Sequence, residues 1–350
     1  MNWSRWGLAA VLCTTAAAQG VQEARELDKR GNAAMERYRH EEAEQWFRQS
    51  VEMFRSLGPG NQADLAEVLS DLGEALAGQG KRKEAIEEYK QALSLHVQAL
   101  GAKHLRTLTN MNLLASARLM SGDLAGAEPL LTEIISTSRE LYPRDVQLAA
   151  ALGGLSYVYS RQGRLVEAQR LADEALALSL EIEGEDSLNT AMMYANSAEI
   201  HRLAGRNARA LPLYRKARAI SEKKLDPVHP RIASLLSQEG LILMDENQLT
   251  LADHAMTRAL GILQQSCPGC MTESWVAESN LALLRLKQKK YAEADRLLSH
   301  VLSMQETHLP RPGRETAQTL QTLAAVREKQ RRHADAVLLT RRADRLLAYQ

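Results

Sequence analysis

Aromatic residues are scarce in this chain, with four Trp, nine Tyr and two Phe among 350 residues. Sandwiches and barrels of β-strands depend on aromatic and β-branched side chains, so the scarcity favours closely spaced helices instead. Neither sign of charge dominates, because 44 basic residues stand against 43 acidic ones. No basic stripe is present to contact phosphates, which carry most of the affinity for nucleic acid. Nucleic acid is therefore excluded as an expected partner.

Long apolar runs are also missing, so no membrane span is expected. The one short apolar run, Gly7 to Cys13, follows the lone charge Arg5 and precedes the small residues Ala16 to Ala18. A positive start, a short apolar middle and an A-x-A end are typical of a cleavable signal peptide. Residues 1–18 are thus predicted to be a signal cleaved after about Ala18, with the mature chain periplasmic or secreted. The alternative is an uncleaved first helix.

Cysteine is rare, and two of the three cysteines form the local motif Cys267-Pro268-Gly269-Cys270. In an exported protein such a pair is expected to be a disulfide. Free thiols and a redox or metal role remain the alternatives. Zinc would need two more ligands, and no second CxxC exists. A thiol–disulfide oxidoreductase would need a βαβ pattern around the pair, which is absent, so that function is a remote alternative.

Catalytic signatures are absent as well. The chain has no G-x-S-x-G nucleophile motif, no glycine loop of the kind that cradles phosphates and no dinucleotide fingerprint. We expect no catalytic residues, no cofactor and no metal site. The sequence therefore predicts that the protein is not an enzyme.

An internal repeat organises most of the chain. Its marker is an alanine that follows a short polar turn and precedes an apolar or aromatic residue four positions later. The marker alanines are Ala43, Ala85, Ala127, Ala168, Ala210, Ala252, Ala294 and Ala336. Successive spacings are 42 residues, with one of 41. This regular step predicts about eight copies of one structural unit.

Helix-ending residues fall at fixed distances from these alanines. Gly or Asn stands five residues before five of them, at Gly80, Gly122, Gly163, Gly205 and Asn247. Both residue types tolerate the left-handed conformation that ends many helices. Pro or Gly follows most marker alanines by sixteen or seventeen residues, where it stops a helix. Each unit is thus predicted to hold a first helix, a tight turn, a second helix and a longer loop.

The motif residues resemble the tetratricopeptide repeat, whose signature is W-x2-L-G-x2-Y followed by A-x3-F. Here the signature reads Leu69-x2-Leu72-Gly73-x2-Leu76, then Ala85-x3-Tyr89. The repeats exceed the standard 34 residues by about two helical turns. That length, the stretch Ser279 to Leu284 and the loop Leu225 to Pro230 are similar to the repeats of kinesin light chains.

The resemblance implies an all-α protein, a right-handed α-solenoid of about eight helix-turn-helix units that binds other proteins. After the signal, the solenoid is expected over residues 22–350. The predicted repeats are about 22–60, 61–102, 103–144, 145–185, 186–227, 228–269, 270–312 and 313–350.

In such solenoids the first helices line a groove that holds the partner, a protein or peptide of unknown identity. The predicted groove residues are Glu67, Ser70, Glu74, Asn112, Ser116, Tyr157, Arg161, Asn196, Glu199, Arg202, Gln238, Asp245, Asn280 and Lys287. Asparagines of related repeats bond the backbone of an extended peptide, although Asn196 and Asn280 could instead bridge neighbouring helices. The family's basic clamp for a carboxylate is disfavoured, because Asp28 occupies the place of its lysine.

Self-assembly is the alternative function. The last helix, Ala334 to Gln350, carries five apolar residues, and no later repeat covers them. They are Val337, Leu338, Leu339, Leu346 and Leu347. Solenoids need a polar terminal cap, so this apolar end could tether another subunit or a second copy of the chain, giving a homo-oligomer.

Overall fold

The computed structural model describes residues 3–266, 271–309 and 313–348, with side chains from residue 18 onward except at 266 and 271–273. Within these ranges the regular structure consists of sixteen α-helices and one short 3-10 turn, Pro59–Asn61, without a strand. The prediction of an all-α solenoid of helix pairs is confirmed. The helices belong to two compact units, Met1–Gly184 and Glu185–Gln350.

Unit 1 contains four helix pairs. Its helices are α1 Trp3–Met35, α2 His40–Ser56, α3 Gln62–Gly78, α4 Arg82–Leu100, α5 Leu105–Met120, α6 Leu124–Leu141, α7 Val146–Arg161 and α8 Leu165–Glu183. Successive helices pack against each other in chain order. Leu69, Leu72 and Leu76, the motif positions of α3, lie in a core that also holds Phe47 and Tyr89.

Unit 2 also contains four helix pairs. Its helices are α9 Leu188–Leu203, α10 Asn207–Lys224, α11 Pro230–Asp245, α12 Leu249–Ser266, α13 Met271–Lys287, α14 Tyr291–His308, α15 Arg314–Lys329 and α16 His333–Ala348. Its core includes one apolar cluster around Ile232 and Ala259 and another around Leu298 and Leu320. The pairs α9–α10, α11–α12, α13–α14 and α15–α16 repeat the arrangement of unit 1.

The marker alanines are the contact points of the paired helices. Seven of the eight have no exposed surface, and Ala336 is 6% exposed. In three units the residue four positions later packs on a glycine of the first helix. A Cβ on Gly73 would lie 2.6 Å from the Tyr89 ring, and one on Gly240 would lie 2.6 Å from Met256. The A-x3-F half of the motif therefore fixes how closely the two helices approach.

The turn inside each pair has one backbone conformation in every unit. Its left-handed residue, five positions before the marker alanine, has a φ near +60° to +80°. Gly80 is typical: the next residue, Lys81, donates its amide to the Leu76 carbonyl at 2.9 Å and so closes the helix end. Glycine or asparagine was predicted at five of these sites. Tyr38, Lys289 and Arg331 occupy the other three.

The last helix, α16, buries only one side. Ala336 and Ala343 are buried, and Leu339 and Leu346 pack on the unit 2 core. Val337 and Leu338 are 49% and 64% exposed. Of the five apolar side chains expected to be uncovered, two thus pack in the interior of unit 2, and Leu347 is exposed like Val337 and Leu338.

A candidate binding surface on the first helices

The first helices of neighbouring pairs lie side by side within each unit. Contacts join α1 to α3, α3 to α5 and α5 to α7 in unit 1, and α11 to α13 and α13 to α15 in unit 2. We call each set of first helices a first-helix row: α1, α3, α5 and α7 in unit 1, and α9, α11, α13 and α15 in unit 2. All fourteen predicted groove residues lie on these rows.

Several predicted groove residues hold neighbouring first helices together. In unit 1, Ser70 is buried and accepts a hydrogen bond from Asn110 Nδ2 at 2.8 Å. Asn112 is buried too, and its amide donates to the Gln147 side chain at 2.9 Å. These side chains connect α3 to α5 and α5 to α7, which is the bridging role considered above for other asparagines. Their polar atoms are engaged by the protein itself.

Charged groove residues make similar bridges. Glu67 on α3 lies 2.7 Å from the guanidinium of Arg106 on α5. In unit 2, the Lys287 ammonium on α13 donates to the main-chain carbonyl of Met244 on α11. Both side chains stay partly open to solvent, so a partner could reach them while these bridges persist.

The remaining predicted residues present their side chains more freely. Glu74, Ser116, Tyr157, Arg161 and Asp245 are exposed, and Asn196, Gln238 and Asn280 are half-buried. Tyr157 and Arg161 stand one helical turn apart on α7 and place an aromatic ring and a cation on one face. The chemistry of this set is that of a surface able to bind polar and aromatic groups.

Glu199 and Arg202 form a local ion pair on α9. Arg202 donates two hydrogen bonds to the Glu199 carboxylate, at 2.7 and 2.8 Å, and the Tyr214 hydroxyl donates a third at 2.7 Å. Tyr214 stands four residues after the marker Ala210, so the repeat itself places its ring beneath α9. The three groups hold one another in position and leave Arg202 partly exposed.

An acidic cluster on the unit 1 row went unrecognised in the sequence. The carboxyl groups of Asp28 on α1 and Asp71 on α3 lie near enough to influence each other's ionisation, and the Asn32 amide donates to Asp28 at 3.4 Å. Burial, with the nearby charges of Asp28 and Glu74, raises the pKa of Asp71 to about 7. Burial also raises the pKa of Asp28. Asp71 thus adds a second acidic side chain near Asp28, where the sequence disfavours a carboxylate-binding clamp.

Some predictions concern residues that the structure does not describe. Cys267 and Cys270, with their expected disulfide, lie outside the described residues, as do Met1 and Asn2 at the start of the expected signal. Among the described residues, no three His, Cys, Asp or Glu side chains are grouped so as to hold a metal ion. None of the helices in this part of the chain has the length and apolar character needed to cross a membrane.

The chain is a helical-repeat protein. Its helix pairs meet at the marker alanines, and its first-helix rows present exposed polar side chains. Residues 22–96, 64–140 and 147–223 each match the tetratricopeptide repeat. The chain belongs to the tetratricopeptide repeat family, with the long repeats similar to those of kinesin light chains. No curated protein matches the sequence.

Solved structures with the same fold are distant in sequence. BtubC (BKLC) from P. vanneervenii is 22% identical, with 67% of this chain and 93% of that one covered and a TM-score of 0.52. A putative kinesin light chain from Podosopora anserina is 18% identical, covering 56% and 92%, with a TM-score of 0.50. A Rap protein complexed with competence and sporulation factor is 14% identical, covering 95% and 97%, with a TM-score of 0.62. These likenesses concern the fold alone.

Proposed function

We propose that the chain is a non-catalytic scaffold that holds a partner protein or peptide against its first-helix rows. The observation that carries this proposal is the set of exposed groove residues that packing does not require, above all Tyr157 and Arg161 on α7. Buried positions of the repeat are Ala, Leu and other apolar residues fixed by contact, whereas these positions are free to serve recognition. Proteins built from such repeats use the same surface for many different partners.

A structural neighbour solved in a complex supports the proposal. The Rap protein described above, similar in fold along nearly its whole length, was solved in complex with competence and sporulation factor. That complex is a property of the Rap protein. For this chain it supports a helical-repeat surface as the place where a partner docks.

Partner capture with matched variants tests the proposal. The full chain is immobilised, incubated with extract of its native host, and the captured proteins are quantified by mass spectrometry. We expect Tyr157→Ala to reduce one or more partners at least fivefold. Val166→Ala serves as the control, because Val166 is an exposed apolar side chain on α8, a second helix. Equal loss with both variants, or no loss with either, would overturn the proposal.

A second candidate function, self-assembly, has support at α16. Val337 and Leu338 lie adjacent and exposed on the last helix of unit 2, and apolar pairs of this kind are common in contacts between subunits. Light scattering of the full chain against concentration tests the idea. A dimer that Leu338→Glu converts to a monomer would support it, and a wild-type monomer at every concentration would exclude it.

Export remains part of the proposal. The amino-terminal pattern of one arginine, a short apolar run and three alanines supports a signal cleaved after about Ala18. Export would expose Cys267 and Cys270 to oxidising conditions that favour their disulfide. The mass of the protein purified from each fraction of its host tests this. A mature chain that keeps residues 1–18 and stays in the cytosol would contradict it.

A further inference from the structure

A cavity of about 360 Å³ opens between two first helices of unit 2. Its walls are α13 and α15, and Leu298 and Gln305 of α14 form its floor. The volume is at the lower end of the range of about 300–1,000 Å³ found for ligand sites. The apolar part of the wall comes from Trp275, Val276 and Leu283, and Val276 is largely exposed.

The sequence of this repeat gives the cavity a large aromatic wall. Trp275 stands nineteen residues before the marker Ala294, at a position occupied by alanine in six of the other seven units. Those alanines are Ala24, Ala66, Ala149, Ala191, Ala233 and Ala317, and all are buried. In this repeat an indole stands at the place of a methyl group and forms part of the cavity wall. This part of the wall therefore distinguishes the repeat from the six that carry alanine.

Two buried polar groups of the cavity lack partners among the described residues. They are the Trp275 indole N–H and the Gln305 amide oxygen, on side chains only 6% and 4% exposed. At the position of Gln305, another unit has Ser221, whose hydroxyl donates to the Ala217 carbonyl of its own helix. Gln305 makes no such bond. A buried donor or acceptor left unpaired destabilises the protein, so a ligand that pairs with both groups recovers that free energy.

The unpaired groups are one donor and one acceptor, and a peptide group offers the complement of both. The lining residues extend along α13 from Trp275 to Leu283 and along α15 from Glu315 to Thr322. With a rise of about 1.5 Å per residue along the helices, the cavity forms a trough roughly 11 Å long between α13 and α15. An extended chain advances about 3.3 Å per residue, so three to four residues fill it.

The charge of the lining selects among peptides. Among the described lining residues Glu315 is the only ionisable one, and the others on the rim, including Ser279, Asn280 and Thr322, are neutral. An acidic peptide side chain would face Glu315 and an apolar wall, with no compensating cation among the described lining residues, which disfavours it. An aliphatic side chain instead gains the apolar contact that Trp275 and Leu283 provide.

We propose that the trough between α13 and α15 binds a neutral, extended peptide segment of three to four residues, with an aliphatic side chain against Trp275. The segment's main-chain amide and carbonyl pair with Gln305 and Trp275 once the two side chains turn toward it. This inference rests on the proposed scaffold function and places one peptide subsite within unit 2.

The test uses the full chain and an array of N-acetylated, C-amidated hexapeptides. The two central residues vary among Leu, Ile, Val, Gln, Lys and Asp, between flanks of Ala and Ser. We expect the wild-type chain to bind peptides with aliphatic centres at least tenfold more tightly than peptides with Asp centres. Binding should also change the fluorescence of Trp275, measured against a Trp275→Phe variant.

Matched variants locate the site. Ser279→Arg places a long side chain at the mouth of the trough, and Ser237→Arg makes the same change at the equivalent position one repeat earlier, outside the cavity. Ser279→Arg should weaken aliphatic peptides at least tenfold and Ser237→Arg less than twofold. If Ser279→Arg fails to fold by circular dichroism, the exposed Gln318→Arg on α15 blocks the trough from its other wall.

The outcomes separate the subsite from the scaffold function. Equal binding by wild type and the blocked variants, a preference for Asp centres, or no peptide binding at all would overturn the subsite. If Tyr157→Ala still reduces partner capture in those cases, the scaffold function stands without it. Failure of both experiments would reject the two proposals together.

Discussion

Arg218 on α10 and Glu239 on α11 form a largely buried ion pair between two repeats of unit 2, with Arg218 Nε 2.6 Å from Glu239 Oε1. Their side chains are 24% and 5% exposed. The equivalent positions of other repeats are almost all apolar. In the six other contacts between consecutive repeats, the residues matching Arg218 are Val51, Leu93, Ile135, Leu176, Leu260 and Leu302, and those matching Glu239 are Leu72, Leu114, Leu155, Ser197, Leu281 and Leu323. At this one contact between repeats, both apolar side chains are thus replaced by side chains of opposite charge.

This replacement predicts strong coupling between the two residues. Glu239→Leu leaves the Arg218 guanidinium partly buried with Glu222, 3.0 Å away, as its remaining partner. Arg218→Leu leaves a buried carboxylate whose remaining cation, Arg215, lies 3.9 Å away. Each single variant should lower the free energy of unfolding by about 3–5 kcal/mol. The double variant restores the apolar pair of the other repeats and should be at least as stable as wild type. Urea denaturation of the four proteins measures the coupling, and additive losses would contradict the account.

The left-handed turn residues give a second prediction. Lys289 and Arg331 have φ values of +62° and +64°, where glycine is free of the strain that a Cβ introduces. Lys289→Gly and Arg331→Gly should each stabilise the chain by about 0.5–1 kcal/mol. Gly163→Lys, the reverse change at the same position of another repeat, should destabilise it. Thermal unfolding measures the shifts, and stabilisation by Gly163→Lys would refute the shared turn geometry.

Asp71 predicts a stability that falls with rising pH. Its pKa is about 7 in the folded chain against a normal value of 3.8. Between these values the folded state holds a proton that the unfolded state has released, so stability is lost as the pH rises through 7. Asp71→Asn should increase the free energy of unfolding by about 2 kcal/mol more at pH 8 than at pH 5. The melting temperature should therefore rise more at pH 8. The exposed Asp173→Asn, as a control, should give the same small change at both pH values.

His96 should make the stability of the chain fall as the solution becomes acidic, opposite to the effect of Asp71. Its ring is buried, and neither nitrogen has a partner among the described residues. Burial, with Arg106 and His104 nearby, lowers the pKa of His96 to about 4 from 6.5. The unfolded chain gains this proton first, so stability falls as the pH drops from 6.5 toward 4, by up to about 3 kcal/mol. His96→Gln, which copies Gln305 of a later repeat, should remove this contribution. An unchanged acid profile would contradict it.

Much of the fold could be predicted from spacing alone. The marker alanines identify the contact point of each helix pair because only a small residue fits there, and the five Gly or Asn residues mark the left-handed turns. The same turns at Tyr38, Lys289 and Arg331 were missed, because their residue types carry no signal for a positive φ and surrounding packing imposes it.

The binding surface was less predictable, because it depends on contacts between repeats. Counting from the alanines placed Ser70 and Asn112 on the correct helices, but their burial follows from how closely α3, α5 and α7 approach. The Asp28–Asp71 pair joins residues 43 positions apart and has no local motif. Trp275 stands out in the sequence, because six other repeats have alanine at its position. The unpaired amide oxygen of Gln305 can be recognised only in the structure, where the packing of the helices is known.

The most direct test of the scaffold account is site-specific crosslinking in the native host. A photoreactive amino acid replaces Tyr157 or Ser116 on first helices and, in parallel, the exposed Val166 or Lys90 on second helices. The account predicts that a partner protein is crosslinked from positions 157 and 116 and not from 166 or 90. Crosslinks confined to the second helices, or none from any position, would contradict it.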